Sequence, residues 1–225
     1  MAAGAPLTAL AIAAAAIIVI LILAFRSLTS QDFFMDDDSD GWIEPFFNAF
    51  IIVSLLGFLS WFNLRLIEEP VSLEMNVTGA FVPVLVSSYL LVHVPVGWNK
   101  YSISFIMMAA LAYLTTDFNA NGVHININHW FLIILACAFI SYILAGLNLR
   151  KSLALSYVSA SLGMLFGGDV MHLYEYQESM GTFIFGFSGL LDFIFLSGIL
   201  AVAFVGAIHY ITNSIGIQPI IEHDA

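Results

Sequence analysis

The chain has 225 residues, of which 61% are hydrophobic and only 9% are charged, and its formal net charge is −11. This composition indicates a membrane protein. It argues against nucleic acid or an anionic membrane surface as a partner, because both select clustered lysine and arginine and the chain has only five such residues. Since no Pro/Gly/Ser-rich linker separates one half from the other, the sequence predicts a single integral membrane domain over residues 1–225.

Apolar blocks of roughly the 20 residues that a helix needs to cross a bilayer recur along the chain. They predict an all-α polytopic protein, a bundle of about seven transmembrane helices surrounded by the lipid bilayer. The predicted spans are about 6–25, 45–66, 78–97, 102–117, 130–149, 152–172 and 182–212. The first block is expected to be a retained helix rather than a signal peptide, because no basic residue precedes it and Arg26 follows it directly.

The basic residues predict the orientation of this bundle. Arg26, Lys100, Arg150 and Lys151 fall in the first, third and fifth connections between spans, whereas the second connection has only Arg65 at its edge. Cytoplasmic loops are enriched in lysine and arginine, so the odd-numbered connections are expected in the cytoplasm. With seven spans, the N-terminus then lies outside and the C-terminus in the cytoplasm.

The fourth connection, residues 117–130, alternates apolar with polar side chains. This period of two predicts a short strand or hairpin at the membrane interface. The connection contains His124 and His129, but residues five apart point to opposite faces of a strand and match one face of a helix poorly. The pattern therefore predicts no metal site.

The last apolar block is too long for one straight crossing. Its 31 residues would extend about 46 Å as a helix, against a hydrocarbon core of about 30 Å. Gly186 and Gly189 lower the helix propensity of its first part. They predict a glycine-hinged span, with an irregular lead-in over 182–190 and a regular helix from about residue 191.

Asp192 stands inside this apolar run, where a charge is costly and is a functional hypothesis by default. Asp169 is its candidate partner. Asp169 follows Lys151 by about 18 residues, or about 27 Å along a helix, and so approaches the outer side. The short loop between the last two spans makes them antiparallel neighbours, so the two carboxylates are expected to meet below the outer interface.

Two carboxylates that share a water molecule are suited to aspartic proteolysis. Like charges at short range cannot both ionise, so the pair holds a proton; one carboxylate activates water while the other protonates the carbonyl oxygen. Such a pair would suit hydrolysis of transmembrane peptides without a metal or organic cofactor, but the sequence spacing does not choose between this use and others. The same pair would also suit a proton-linked transporter or channel. A third alternative is a structural membrane protein whose aspartates only hold the bundle together.

Three segments carry a resemblance to a known family. They are NVTGAFVPVLVSSYLL (76–91), SLGMLFGGDVMHL (161–173) and GFSGLLDFIFLSGILAV (186–202). These segments resemble the archaeal and bacterial membrane family of domain of unknown function 1614, over roughly residues 50–212. The resemblance implies an integral protein of a prokaryotic cell membrane, and it implies no activity.

More distantly, GLLDFIFLSGIL is similar to the second catalytic motif of presenilin and signal peptide peptidase-type intramembrane aspartyl proteases, Gly-x-Gly-Asp followed by aromatic and aliphatic residues. The similarity implies that Asp192 and Asp169 are the catalytic carboxylates. Gly189 matches the first glycine of the motif, whereas Leu191 stands where the second glycine should be.

Three further residues are expected to support the pair. Gly168 precedes Asp169 where the protease family has tyrosine, and Pro83, in Pro83-Val84-Leu85, is loosely similar to the family's Pro-Ala-Leu motif. His172 follows Asp169 by three residues and is near enough to tune or hydrate the site.

Overall fold

The computed structural model describes residues 55–68, 72–119, 122–175 and 182–216. The chain divides into two compact units, Met1–Phe58 and Leu59–Ala225. In the first unit the described residues, 55–58, are helical. The first predicted span and most of the second lie outside the described residues, and the single domain over 1–225 stays a prediction.

The described part of the second unit is mostly helical. Its α-helices are α1 (Val82–His93), α2 (Trp98–Thr115), α3 (Ile127–Leu144), α4 (Leu149–Met164) and α5 (Phe193–Ser214). Two π-helical segments extend them: π1 (Val77–Phe81) runs into α1, and π2 (Leu165–Asp169) continues α4. Two 3₁₀ helices adjoin the last two α-helices: Val170–Glu175 follows π2, and Gly189–Leu191 precedes α5.

Helix α4 is the centre of the bundle, because it packs against α1, α2, α3 and α5. Many of its buried side chains are small, among them Ser152, Ala154, Ser156, Ser159, Ala160 and Ser161. Small residues let helix backbones approach closely inside a membrane. Gly198 of α5 shows how close this approach is, since a Cβ atom there would lie 2.8 Å from the ring of Tyr157 on α4.

Five short strands form two sheets in the described chain. They are β1 (Asn63–Ile67), β2 (Leu73–Asn76), β3 (Thr116–Asn119), β4 (Gly122–Ile125) and β5 (Phe183–Phe185). The first sheet has the order β1-β2-β5, with β1 antiparallel and β5 parallel to β2. The second is an antiparallel hairpin of β3 and β4, which pairs Thr116 with Ile125. The hairpin predicted for the fourth connection is therefore confirmed.

Interhelical contacts show which helix ends lie together. A Cβ atom on Gly168, in π2, would lie 3.9 Å from the Thr116 hydroxyl just after α2, so α2 and α4 run in the same direction. Trp130 near the start of α3 bonds Ser197 near the start of α5, so these two helices are also parallel to each other. Both sheets, π2 and the start of α5 therefore lie at one end, called the sheet end here.

The opposite end of the bundle carries basic residues. Lys100 lies in the first turn of α2, and Arg150 and Lys151 lie in the first turn of α4. At this basic end the Tyr142 hydroxyl of α3 bonds His209 Nδ1 of α5 at 2.9 Å. His209 is therefore far from the two candidate aspartates, as the sequence spacing indicates.

Three helical segments of the described chain are long and apolar enough to cross a membrane: Ile127–Leu144, Leu149–Glu175 and Phe193–Ser214. They correspond to the last three predicted spans. The apolar segment Val77–His93 is shorter, and the count of seven spans stays a prediction. The predicted end of the second span at residue 66 is wrong, because residues 63–67 form strand β1 and pair with β2.

The lead-in to the last helix is irregular. Strand β5 ends at Phe185, a turn and a 3₁₀ helix follow, and α5 begins at Phe193. Gly186 and Gly189 have φ angles of 69° and 61°, in the left-handed region that glycine adopts without a steric penalty. The structure therefore agrees with the predicted lead-in over 182–190 and shows that it begins as a strand.

Candidate functional site

Asp169 is the last residue of π2. The Val170 N–H bonds the carbonyl of Leu165, five residues earlier, so the helix widens by one residue before the chain tightens into a 3₁₀ helix. Single π turns of this kind are rare and occur frequently at functional sites. Gly167 permits the turn to sit close to α2, because a Cβ atom there would overlap the backbone carbonyl of Ala109.

Two interactions define the surroundings of the Asp169 carboxyl. It accepts a hydrogen bond from the backbone N–H of Gly186, in the turn after β5, and it lies within electrostatic range of the Asp192 carboxyl. The side chain is partly buried. The sheet end thus brings together the two aspartates that the sequence singled out, through a turn that follows β5.

Asp192 is the N-cap of α5. Its Oδ1 accepts a hydrogen bond from the Ile194 N–H at 2.9 Å, and its Oδ2 accepts one from the Ser188 N–H at 3.3 Å. Aspartate is among the preferred residues at this position, because its side chain binds N–H groups that have no partner within the helix. Asp192 therefore has a structural role of its own, whatever chemistry it performs.

Burial changes the acid strength of Asp192, which lies just before the spanning helix. It raises the pKa of this carboxyl to about 6, against the hydrogen bonds from Ile194 and Ser188, which lower the pKa. A carboxyl group with such a pKa changes its protonation state slightly below neutral pH.

The structure places the four predicted supporting residues in different surroundings. Gly168 is buried beside Asp169, and Gly189 opens the 3₁₀ helix before Asp192, where a Cβ atom would lie 2.5 Å from Ser60 Cβ. Pro83 is buried in the first turn of α1, a position that suits proline because its missing N–H is not needed there.

The fourth supporting residue, His172, is buried in the 3₁₀ helix after Asp169. Its Nδ1 lies 3.1 Å from the Glu175 Oε1 atom, and its ring contacts the Tyr113 ring of α2 at a tilt of 30°, with 4.9 Å between ring centroids. The Tyr113 hydroxyl lies 3.3 Å from the hydroxyl of the exposed Tyr174. A polar network therefore runs from beside Asp169 toward the surface.

Asn76 is a residue that the sequence prediction missed. Its Oδ1 accepts hydrogen bonds from the N–H groups of Thr78 (3.1 Å) and Gly79 (2.9 Å), and its Nδ2 donates to the Ser60 carbonyl at 2.7 Å. It therefore caps π1 and ties it to the chain before β1. An asparagine directly ahead of an apolar run is a typical helix N-cap, and this signal could have identified it.

The described residues contain no group of three or more His, Cys, Asp and Glu side chains that could hold a metal ion. The candidate residues at the sheet end are the carboxyl groups of Asp169 and Asp192, the His172 imidazole with Glu175, and the backbone N–H groups that bond the two aspartates. This set is suited to proton transfer and to the activation of a water molecule.

No curated protein and no solved structure matches the chain. One family model, described as protein of unknown function (DUF1614), matches residues 41–204. The match covers most of the chain and includes π1, π2 and the lead-in to α5, with both Asp169 and Asp192. The chain belongs to this family.

Proposed function

We propose that the protein is an intramembrane aspartyl endopeptidase in which Asp169 and Asp192 hydrolyse peptide bonds of membrane-embedded segments. The observation that carries this proposal is the pairing at the sheet end. The Asp169 carboxyl lies within electrostatic range of Asp192 and accepts a hydrogen bond from Gly186, in the hinge that leads to Asp192. Two carboxylates in such a pair share one proton, since both cannot ionise at short range.

The hydrogen bonds suggest a division of roles between the two carboxylates. Asp192 accepts two backbone N–H bonds and Asp169 accepts one, and hydrogen bonds to a carboxylate favour its charged form. Asp192 is therefore the ionised member of the pair, and as the carboxylate it takes a proton from the attacking water. Asp169, as the acid, protonates the carbonyl oxygen while the water oxygen bonds to the carbonyl carbon. As the C–N bond breaks, Asp192 gives its proton to the leaving nitrogen and Asp169 takes one back from a hydroxyl of the diol, so both carboxyl groups return to their starting states.

The position of β5 suits a peptide substrate. In the described sheet β5 pairs on one side only, with β2, and it lies a few residues before Asp192. An extended peptide can add to such an edge strand through its backbone. When the substrate is extended in this way, its scissile peptide bond is accessible, whereas in a regular transmembrane helix the N–H and C=O groups of that bond are hydrogen-bonded within the helix.

The positions of the basic residues support the orientation that we propose for the protein in the membrane. Lys100, Arg150 and Lys151 lie at the basic end, whereas Arg65 lies at the sheet end, and an excess of basic residues favours the cytoplasmic side. The carboxylate pair then lies toward the outer side of a prokaryotic cell membrane, and α5 leads to a cytoplasmic C-terminus. The N-terminus lies outside if seven spans are present.

A distant relation to presenilin and signal peptide peptidase is part of this proposal. It rests on residues 189–192, where Gly189 opens the turn and Asp192 follows three residues later. Leu191 replaces the second glycine of that motif and is exposed, so the approach of a substrate would be shaped by a leucine side chain at this point.

Peptide cleavage tests the proposal. The purified wild-type protein and the Asp192→Asn, Asp169→Asn and Asp117→Asn variants are incubated in detergent with a mixed set of transmembrane peptides, and the products are identified by mass spectrometry. Asp117 is the matched control, because it is an exposed aspartate at the same end. We expect cleavage by the wild type and Asp117→Asn only. Cleavage that survives in both of the other variants would refute the proposal.

A second candidate, proton-linked transport, is favoured by a different observation. Ser152, Ser156 and Ser159 of α4 are fully buried, and their spacing of four and three residues places them on one face of the helix. Their hydroxyl groups form a polar stripe from the basic end toward π2. If no peptide is cleaved, a proton flux assay in liposomes with the same variants distinguishes transport from a purely structural protein.

A further inference from the structure

Asp169, His172 and Glu175 lie at intervals of three residues at the sheet end. The chain from Val170 to Glu175 is a 3₁₀ helix, in which side chains three residues apart eclipse each other and successive turns are about 6 Å apart. The contact of 3.1 Å between His172 Nδ1 and Glu175 Oε1 is what this geometry predicts. Asp169 ends π2, directly before this 3₁₀ helix, and stands three residues before His172, a spacing at which side chains on a continuous helical segment are neighbours. Asp169, His172 and Glu175 are called the column here.

The column passes from the interior toward the surface. His172 is 5% exposed and its Nε2 atom is buried, whereas the Glu175 side chain is 31% exposed. The ring of Tyr113 lies against the imidazole, and Glu175 contacts its Nδ1 atom. An imidazole held in this way can take up a proton at one ring nitrogen and release one from the other.

We propose that His172 is a proton relay that connects the Asp169/Asp192 pair to water through Glu175. This inference rests on the proposed function, because it assigns to the carboxylate pair the proton that the relay carries. In the inward direction Glu175 gives a proton to Nδ1, and the Nε2 proton passes to the Asp169 carboxylate, directly or through one water molecule. The reverse sequence releases the proton, so no charge accumulates on His172.

Within the described part of the chain, titratable groups face or adjoin His172 from three elements. Tyr113 faces it from α2, Tyr174 and Glu175 belong to its own 3₁₀ helix, and Asp169 ends π2 just before it. Tyr174 also hydrogen-bonds both Tyr113 and Glu175. Of these groups, Glu175 alone combines direct contact with His172 Nδ1 and access to water. Glu175 is therefore the residue through which the relay exchanges protons with water.

The relay is tested by hydrogen–deuterium exchange of the carboxylic acid C=O band, followed by infrared spectroscopy on the full chain in lipid nanodiscs. Loss of this band in the Asp169→Asn or the Asp192→Asn variant assigns it to the carboxylate pair. We expect His172→Gln to slow the exchange about tenfold to 100-fold while the band persists, the scale of a lost general acid–base group. Glu175→Gln, at a partly exposed position, should slow it in the same direction.

Two further variants separate a relay from a structural role. In His172→Gly, added imidazole should restore fast exchange, which repacking alone would not do. The control is His93→Gln, because His93 is an exposed histidine at the basic end of α1; its exchange should equal that of the wild type. Near-ultraviolet circular dichroism checks that each variant is folded.

Two results would overturn the relay, and they differ in what they say of the pair. If the band is present and His172→Gln exchanges as fast as the wild type, the relay is refuted and the carboxylate pair stands. If no carboxylic acid band disappears in Asp169→Asn or Asp192→Asn, the pair holds no proton, and both the relay and the proposed proteolysis are refuted.

Discussion

Gly79 and Gly186 pack backbone against backbone at the sheet end. A Cβ atom on Gly79 would overlap the Gly186 carbonyl, and one on Gly186 would lie 2.5 Å from the Gly79 carbonyl carbon and 2.6 Å from the Ala80 nitrogen. The contact joins π1 to the turn after β5. Because the Gly186 N–H binds Asp169, this contact also helps to fix the position of the carboxylate pair.

We expect Gly79→Ala to destabilise the protein by about 1–3 kcal/mol, the usual cost of overpacking a well-packed site. The neighbouring atoms belong to backbone and cannot rotate away. Urea or detergent titration of the folded fraction measures the change. Gly206→Ala is the control, because a Cβ atom in that part of α5 meets no atom within 4 Å and alanine favours a helix by about 1 kcal/mol. Equal stability of the two variants would contradict this packing.

The two roles of Asp192 can be separated by two substitutions. Asparagine is as good an N-cap as aspartate, whereas alanine costs about 0.5–2 kcal/mol at that position. We therefore expect Asp192→Ala to lower the free energy of unfolding by this amount and Asp192→Asn to change it little. Both variants should lose peptide cleavage, because neither retains the carboxylate. Cleavage by Asp192→Asn at the wild-type rate would show that Asp192 is only a cap.

Two glycines close to α2 should respond differently to alanine. At Gly167 the added Cβ atom would overlap the backbone carbonyl of Ala109, while at Gly163 it would meet the side chain of Met108, with 2.5 Å to Cγ. Rotation of the Met108 side chain can move Cγ but not Cβ, which would lie 2.7 Å away, so part of the overlap remains at Gly163; it is smaller than the overlap with the backbone carbonyl at Gly167. We expect Gly167→Ala to cost about 1–3 kcal/mol and Gly163→Ala less, measured by thermal unfolding in detergent. A larger loss at Gly163 would mean that Met108 cannot repack.

The local features of the fold could be read from the sequence. Gly186 and Gly189 predicted the irregular lead-in, and their positive φ angles show the reason. The alternation in the fourth connection predicted the hairpin of β3 and β4. Both features depend on residues that are neighbours in the chain, and local patterns report such structure directly.

The three-stranded sheet could not be predicted in this way. β1 (NLRLI) has the apolar character of a span end, and β2 pairs in parallel with β5, which follows it by more than a hundred residues. Parallel strands are joined by a long connection rather than by a tight turn, so the sequence between them has no turn motif that would predict the pairing. The nearness of Asp169 and Asp192 could be inferred from span geometry, but the Gly186 N–H that binds Asp169 depends on this sheet.

The hydrogen bond from Trp130 Nε1 to Ser197 Oγ, at 2.8 Å, joins α3 to α5 among buried residues. A double-mutant cycle with Trp130→Phe, Ser197→Ala and the double variant isolates its contribution. Hydrogen bonds between membrane helices contribute on average about 0.6 kcal/mol and at most about 1.7, and we expect a coupling energy in this range. Ser197→Ala alone should cost more than the coupling, because it leaves a buried indole N–H without an acceptor. Unfolding in mixed detergent micelles provides the four free energies. Strict additivity of the two single substitutions would show that the bond does not stabilise the start of α5, the segment that Asp192 caps.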